Sequence, residues 1–280
     1  MLTRSNPFYL ILLTSLVFAA CEKQTDWPLQ DLSEEYIVVD GNITNEAKIQ
    51  EIRLLKPVSN PNDLPEAVSG ADVLISTEEN VYSFKEDPTR KGYYQSEEIF
   101  AGKVGRIYSL IINQNNRIIS AKANMVQTTD FVFMRYIRQG NTKLFRIIWV
   151  ANPYNAKRPA MYEILLDWST VPGYENADPN ETKARLLYYT LPTLDVSQIF
   201  APAMEAVLFP PGTIITEKRY SLTMEHAEYI RALLSETNWQ GSLFNSASAN
   251  LPTNLSSPGI GYFGACAVTT KTEIARNISR

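Results

Sequence analysis

A two-residue alternation runs through Ala71-Asp72-Val73-Leu74-Ile75-Ser76, whose odd-numbered residues point to one side of a sheet and even-numbered residues to the other. This period is typical of a β-strand with one buried and one exposed face. A loop rich in Pro and Asn precedes it at 57–65, and the turn Glu78-Glu79-Asn80 follows it. The segment therefore predicts a strand that enters a hairpin in a mainly β protein.

Further short strands of this kind lie on both sides. They recur at intervals of about ten residues with turn sequences between them, and no helical period competes with them. The segments are 36–39, 49–55, 81–84, 92–94, 107–112 and 117–123. This spacing is typical of a β-sandwich. We therefore predict an immunoglobulin-like or transthyretin-like sandwich over residues 34–126.

Residues 127–280 predict a larger β domain with one amphipathic helix. Its strands are more aromatic, and we expect them at 131–137, 143–150, 161–168, 185–189, 212–216 and 261–269. In 223–237 the period changes, because apolar residues recur at spacings of three and four behind a Thr223 N-cap. We therefore predict a helix near 223–237 that packs on this second unit.

The first twenty residues read as an export signal. Arg4 precedes an apolar stretch at 8–20, which is shorter than the roughly 20 residues that a membrane-spanning helix needs. Small residues then lead to Cys21. We predict that 1–20 is removed, that Cys21 is the lipid attachment residue, and that the polar segment 21–33 is a tether. Ordinary cleavage that leaves Cys21 as an incidental thiol is the alternative.

Cysteine count and charge limit the remaining possibilities. The chain has two cysteines, so an acylated Cys21 leaves Cys266 without a disulfide partner. Cys266 lies in the apolar run 264–268, which predicts a buried, inert thiol. The net charge is −4 and no basic block occurs, which argues against a nucleic-acid partner.

Several segments resemble a family of Bacteroidota outer-membrane lipoproteins catalogued as domain of unknown function 4249. The matching segments are Cys21-Glu22, Tyr36-Ile37-Val38-Val39-Asp40-Gly41-Asn42-Ile43, Val68-Ser69-Gly70-Ala71-Asp72-Val73, Gly92-Tyr93-Tyr94, Gly241-Ser242-Leu243-Phe244 with Asn254, and Gly261-Tyr262-Phe263-Gly264-Ala265. The resemblance implies attachment to the outer membrane, with display at the cell surface as one option. It also implies association with a TonB-dependent nutrient receptor, and it supplies no catalytic residue.

Candidate catalytic residues are few. His226 is the single histidine, so a Ser-His-Asp or Cys-His-Asn relay would have to include it. Its place in the first helical turn beside Glu225 predicts a solvated surface histidine. We therefore predict no catalytic residue, no metal centre and no cofactor. An oxygen-ligand calcium site in the loop 176–181 stays open, as does a glycan hydrolase that uses two carboxylates.

Aromatic residues in the second unit suggest a ligand surface. Tyr154 and Tyr174 are flanked by Asn, Pro or Gly, and such rings can stack on a sugar. We take these two as candidate ligand-binding residues. Trp149 and Trp168 lie within apolar strand segments and are expected in the core.

The expected function is that of a lipid-anchored, non-enzymatic binding or accessory component of the envelope. It would contact the membrane through its lipid, associate with an outer-membrane receptor, and bind a glycan or a peptide. The alternatives are an adhesin or fimbria-like subunit and, less favoured, the carboxylate-based hydrolase.

Overall fold

A computed structural model describes residues 36–58, 63–128, 135–149, 158–191, 207–237 and 251–276. The described residues are mainly β, as predicted, with one α-helix and a short 3-10 helix at Pro179–Glu181. The strands are β1 Ile37–Thr44, β2 Glu51–Leu55, β3 Asp72–Ser76, β4 Val81–Glu86, β5 Tyr93–Ser96, β6 Ile107–Gln114, β7 Arg117–Asn124, β8 Arg135–Arg138, β9 Phe145–Trp149, β10 Ala160–Asp167, β11 Lys183–Thr190, β12 Ile214–Ser221, β13 Gly259–Cys266 and β14 Val268–Ile274. The helix is α1, Met224–Thr237.

The first seven strands form one sheet with β13, in the order β13-β1-β2-β5-β4-β3-β6-β7. Its edge strands approach each other, with bridges from Ala121 to Leu255 and from Val126 to Cys266. The sheet therefore nearly closes on itself, around a core that includes Val39, Ile75 and Leu110. Alternation in β3 is as predicted, because Val73 and Ile75 are buried whereas Asp72 and Leu74 are exposed. The pairing gives one continuous sheet and does not establish a sandwich of two packed sheets.

The large sheet takes a strand from the far end of the chain. β13 pairs in parallel with β1, with Val39 opposite Gly261 and Thr44 opposite Cys266. The sheet formed by the strands before the expected boundary at 126/127 therefore includes a strand that follows this boundary. The boundary itself stays a prediction.

The second sheet has the order β11-β10-β12-β14, and apolar residues pack against each of its faces. On one face, Phe145 of β9 and Phe209 pack with Tyr162 and Ile164 of β10. On the other, the predicted helix α1 contributes Ala227 and Leu234 to a third cluster of buried residues. Thr223 is its N-cap, since its Oγ1 accepts the His226 N–H at 3.2 Å. Among the described residues no helix combines the length and hydropathy needed to cross a membrane.

The prediction of a single last strand at 261–269 was wrong, because the chain forms two strands there. β13 belongs to the large sheet and β14 to the small one, with the buried Ala267 between them. Ser221 at the end of β12 fixes this crossing, since its N–H donates to the Ala267 carbonyl at 2.9 Å and its Oγ accepts the Ala267 N–H at 2.9 Å. The crossing brings the first turn of α1 beside the ends of β7, β10 and β12.

Candidate functional site

A pocket of about 800 Å³ lies where the two sheets and α1 meet. Its volume falls in the range of small-molecule sites. We call it the junction pocket. It is lined by Asn124, Val126, Gln127, Thr128, Arg158, Pro159, Ala160, Arg219, Ser221, Leu222, Thr223, Met224 and Glu225.

Hydrogen bonds across the two sheets hold the pocket wall in place. Ser221 Oγ donates to the Val126 carbonyl at 2.7 Å, which ties the end of β12 to the segment after β7. The Leu222 N–H donates to the Pro159 carbonyl at 3.2 Å, which ties the same segment to the start of β10. Because these bonds connect three elements, the wall is formed before any ligand enters.

Three charged residues line the junction pocket. Arg219 is 6% exposed, and its guanidinium carbon lies 5.3 Å from the centre of the Tyr162 ring. Arg158 and Glu225 are exposed. At neutral pH the described lining therefore carries two positive charges and one negative charge.

A second pocket of about 240 Å³ adjoins the first and shares Asn124, Thr223 and Glu225 with it. We call it the aromatic pocket, because Tyr262 and His226 contribute to its lining. Their rings stack with centres 4.5 Å apart, and Tyr229 stacks on Tyr262 at 5.0 Å. The three rings join α1 to β13.

Asn254 also lines the aromatic pocket, but its amide is fully used within the protein. Its Nδ2 donates to the carbonyls of Lys122 at 3.0 Å and Phe263 at 2.7 Å, and its Oδ1 accepts the Phe263 N–H at 3.0 Å. Asn254 therefore connects β7 to β13 across the gap of the large sheet.

The interpretation of His226 as a solvated surface residue was wrong. Tyr262 covers one face of its ring, and a Cβ at position 264 would lie 2.6 Å from its Cε1. Burial lowers the pKa of His226 to about 4. The helical period could not show this burial, because the covering residues come from β13.

His226 lies near a cysteine and an asparagine, the two other residue types of a Cys-His-Asn relay. The Sγ of Cys266 lies 3.8 Å from its Nδ1, and the Asn42 side chain interacts with the same sulfur. However, Cys266 is fully buried, and burial raises the pKa of its thiol to about 12. An activated cysteine needs a lowered pKa and access to substrate. The prediction of a buried thiol is confirmed, and its inertness stays a prediction. The raised pKa favours a packing contact over a relay.

Of the three site residues named from the sequence, the structure describes Tyr174. Cys21 and Tyr154 lie outside the described residues. Tyr174 is half-buried against the core of the second sheet and lines neither pocket, so its role in binding stays a prediction. Trp168 is buried, as expected, whereas the Trp149 side chain lies outside the description.

The loop considered for calcium contains a turn in which Asp178 accepts hydrogen bonds from the backbone. Asp178 Oδ1 accepts the Asn180 N–H at 2.8 Å, and the Asp178 carbonyl accepts the Glu181 N–H. Across the described part of the chain, no cluster of three or more His, Cys, Asp or Glu side chains could hold a metal ion.

Sequence reasoning missed the buried charges of β12. Glu217 is 2% exposed, and burial raises its pKa to about 7. Arg219 lies on the same face. The strand was expected at 212–216, yet the alternation that buries Ile215 continues through Glu217, Arg219 and Ser221. Reading that alternation through the charges would have found both residues.

Comparison with known proteins gives a family and no characterised relative. A search of curated proteins finds none that matches this chain. A family model described as "Domain of unknown function (DUF4249)" matches residues 22–272, nearly the whole chain. The protein therefore belongs to the DUF4249 family.

Proposed function

We propose that this protein is a lipid-anchored, non-enzymatic binding component of the bacterial cell envelope that takes a small ligand into the junction pocket. The observation that carries the proposal is a preformed pocket of about 800 Å³ whose wall is fixed by Ser221 and Leu222. A wall that does not rearrange on binding loses less free energy in ordering.

The lining favours binding over hydrolysis. A glycosidase needs two carboxylates on either side of the scissile bond. Glu225 is the one carboxylate among the described residues that line the two pockets. The Cys266 thiol is too deeply buried to act as a nucleophile in their place.

Attachment through Cys21 is the second part of the proposal. The apolar stretch at 8–20 and the Ala19-Ala20-Cys21 sequence support it, as does the resemblance to Bacteroidota lipoproteins. Two or three acyl chains would hold the domain firmly at a membrane, since each buried methylene contributes about 0.8 kcal/mol. On this proposal the tether 21–33 places the domain beside an outer-membrane receptor of the TonB-dependent class.

The anchor is tested by metabolic labelling with a fatty-acid analogue. The mature protein should carry the label, and a Cys21→Ser variant should not. Cys266→Ser is the matched control, because that thiol is buried and its loss should leave labelling unchanged. An unlabelled mature protein would remove the anchor from the proposal.

Receptor association is tested by pull-down from membranes in mild detergent. The expected result is co-purification of an outer-membrane receptor at a fixed stoichiometry. Recovery of the protein alone would contradict an accessory role. Recovery of fibres built from copies of this chain would instead support the adhesin or fimbria-like alternative.

A further inference from the structure

We propose that the exposed face of strands β4, β3, β6 and β7 lies on the lipid membrane that holds the acyl chains of Cys21. This inference rests on the proposed function, since it takes the anchor at Cys21 as given. The observation behind it is a group of exposed aliphatic side chains on this face of the large sheet. We call the group the aliphatic patch, and its members are Leu74, Val81, Ile107, Ile111 and Ile118.

The members of the patch are neighbours across four adjacent strands. They are between 38% and 65% exposed, and they alternate along their strands with the residues that form the core. Leu74 lies directly opposite Ile111, and Ile111 lies opposite Ser120, diagonally from Ile118. Opposite and diagonal side chains on one face of a sheet lie within contact distance. A contiguous exposed apolar surface of this kind marks an interaction site.

Small polar residues fill the spaces between the aliphatic side chains. Ser83 lies opposite Leu74, Ser76 lies opposite Val81, and Ser120 lies opposite Ile111. A serine side chain is shorter than that of Ile, Leu or Val, so the aliphatic side chains project furthest from this face. They would be the first groups to enter an apolar phase.

Charged residues on this face lie around the patch. Asp72 is at the start of β3, Lys85 is in the outer strand β4, and Lys122 is in the edge strand β7. A lysine keeps its ammonium in a polar layer while its methylene stem lies along apolar surface. Lys85 and Lys122 can therefore reach lipid phosphates while the aliphatic side chains contact the acyl region.

The composition of the face favours lipid over a protein partner. The centres of protein interfaces are enriched in aromatic residues, Met and Arg. On β4, β3, β6 and β7, all of which the structure describes, the exposed face carries none of these residue types. Aliphatic groups gain as much free energy from burial in hydrocarbon as from burial in a protein core.

The chain enters the fold close to the patch. Ile37, the first residue of β1, donates its N–H to the Pro258 carbonyl at 3.0 Å. Two residues earlier, Ser256 exchanges hydrogen bonds with Ser120, whose N–H donates to Ser256 Oγ at 2.8 Å. Ser120 lies between the patch and this segment, since it is opposite Ile111. The residue that follows the tether is therefore connected to the β7 side of the patch.

The length of the tether allows this contact. Residues 22–36 separate Cys21 from β1, and an extended segment of this length spans at most about 50 Å. The tether therefore lets the face reach the bilayer while keeping it nearby. Such a link gives the second contact a high effective concentration.

Fluorescence quenching in vesicles tests this orientation with the acylated mature protein. The vesicles contain phosphatidylethanolamine and phosphatidylglycerol with brominated acyl chains, which quench a fluorophore at short range. The fluorophore is attached to Ile118→Cys or to Ile111→Cys, because Cys21 is acylated and Cys266 is buried. The matched control is Ile274→Cys, which is 54% exposed against 64% for Ile118 and lies at the end of β14 in the other sheet. Labels at 118 and 111 should be quenched several-fold more strongly than a label at 274.

A second variant assigns the contact to the patch itself. With the fluorophore on Val81→Cys, Ile118→Ser should reduce the quenching several-fold, because it removes apolar area from the contact. Ile274→Ser in the same labelled protein should leave the quenching unchanged.

Equal quenching at 118 and 274, or no effect of Ile118→Ser, would overturn the inference. A blue shift of the label at 118 that grows with protein concentration in lipid-free detergent would also overturn it, because a second copy would then cover the patch. Failure of the proposed function gives a different result, namely no fatty-acid label at Cys21. A protein that carries that label and stays with the vesicles, yet shows equal quenching at both positions, keeps its anchor and loses the membrane contact.

Discussion

The Sγ of Cys266 lies 3.8 Å from Nδ1 of His226, and this contact joins the end of β13 to the first turn of α1. The distance suits a nucleophile and its base, but the pKa values of both groups are shifted away from those that an activated cysteine and its base need. Burial raises the pKa of the thiol to about 12 and lowers that of the imidazole to about 4. Both groups are therefore neutral over the wide pH range between, and the pair packs without an ion pair.

Cys266 should resist alkylation in the folded protein. In a Cys21→Ser variant it is the one remaining thiol. With a pKa of about 12, its thiolate population at pH 8 gives a reaction with iodoacetamide roughly a thousandfold slower than that of free cysteine. Mass spectrometry of the native and the denaturant-unfolded protein measures the two rates. Rapid labelling of the native protein would show that the thiol is accessible and activated.

His226 should make the free energy of unfolding decrease as the pH is lowered. Its folded pKa of about 4 lies below the ordinary 6.5, so the unfolded chain binds a proton first as the pH drops. The contribution is fully present above pH 6.5 and is lost at up to about 1.4 kcal/mol per pH unit toward pH 4. We expect the difference in unfolding free energy between the unmodified protein and His226→Phe to fall by this slope, as measured by urea denaturation. A difference independent of pH would mean that the imidazole is solvated.

Local patterns predicted the elements, and contacts between distant segments account for the errors. The two-residue alternation predicted that Val73 is buried. The apolar spacing of three and four residues, together with the Thr223 N-cap, predicted α1. Both signals act within a few residues of the chain. The pairing of Val39 with Gly261 joins segments far apart in sequence, and no local period encodes it. The cover over His226 was missed for the same reason.

The charges of β12 were missed for a different reason. A carboxylate is rarely fully buried, so the sequence from Glu217 onward indicates solvent. Glu217 is buried nevertheless, because it lies on the same face of β12 as the buried Ile215, with Ile164 and Lys271 opposite it. The free-energy cost of burying the carboxylate appears as a raised pKa.

Glu217 should act on stability in the opposite direction to His226. Burial raises its folded pKa from 4.5 to about 7, so its stabilising contribution is fully present below pH 4.5 and is lost as the pH rises to 7. A neutral Glu217→Gln side chain avoids this loss. At pH 8 we expect the variant to have a free energy of unfolding about 2–3 kcal/mol higher than the unmodified protein, with the difference shrinking toward pH 4.5.

The control for this prediction is Glu181→Gln, at an exposed position. It should change the free energy of unfolding by less than about 0.5 kcal/mol at every pH. Urea denaturation at pH 5, 6.5 and 8 measures both variants. If Glu217→Gln gives no pH-dependent gain relative to the control, the carboxyl is ionised and well solvated or paired in the folded protein.

The parallel pairing of β1 with β13 should depend on Gly261. This residue has a φ of +96°, and a Cβ at this position would lie 2.3 Å from the Val39 carbonyl oxygen. Because the obstacle is backbone in the partner strand, Gly261→Ala must separate the two strands locally. We expect a loss of at least about 3 kcal/mol in the free energy of unfolding.

Gly105 supplies the matched control, with a φ of +83° and no atom within 4 Å of the added Cβ. Gly105→Ala therefore carries the strain of positive φ alone, about 1–2 kcal/mol. Urea denaturation of both variants isolates the close contact, and equal losses would mean that β13 can shift away from β1 at little cost.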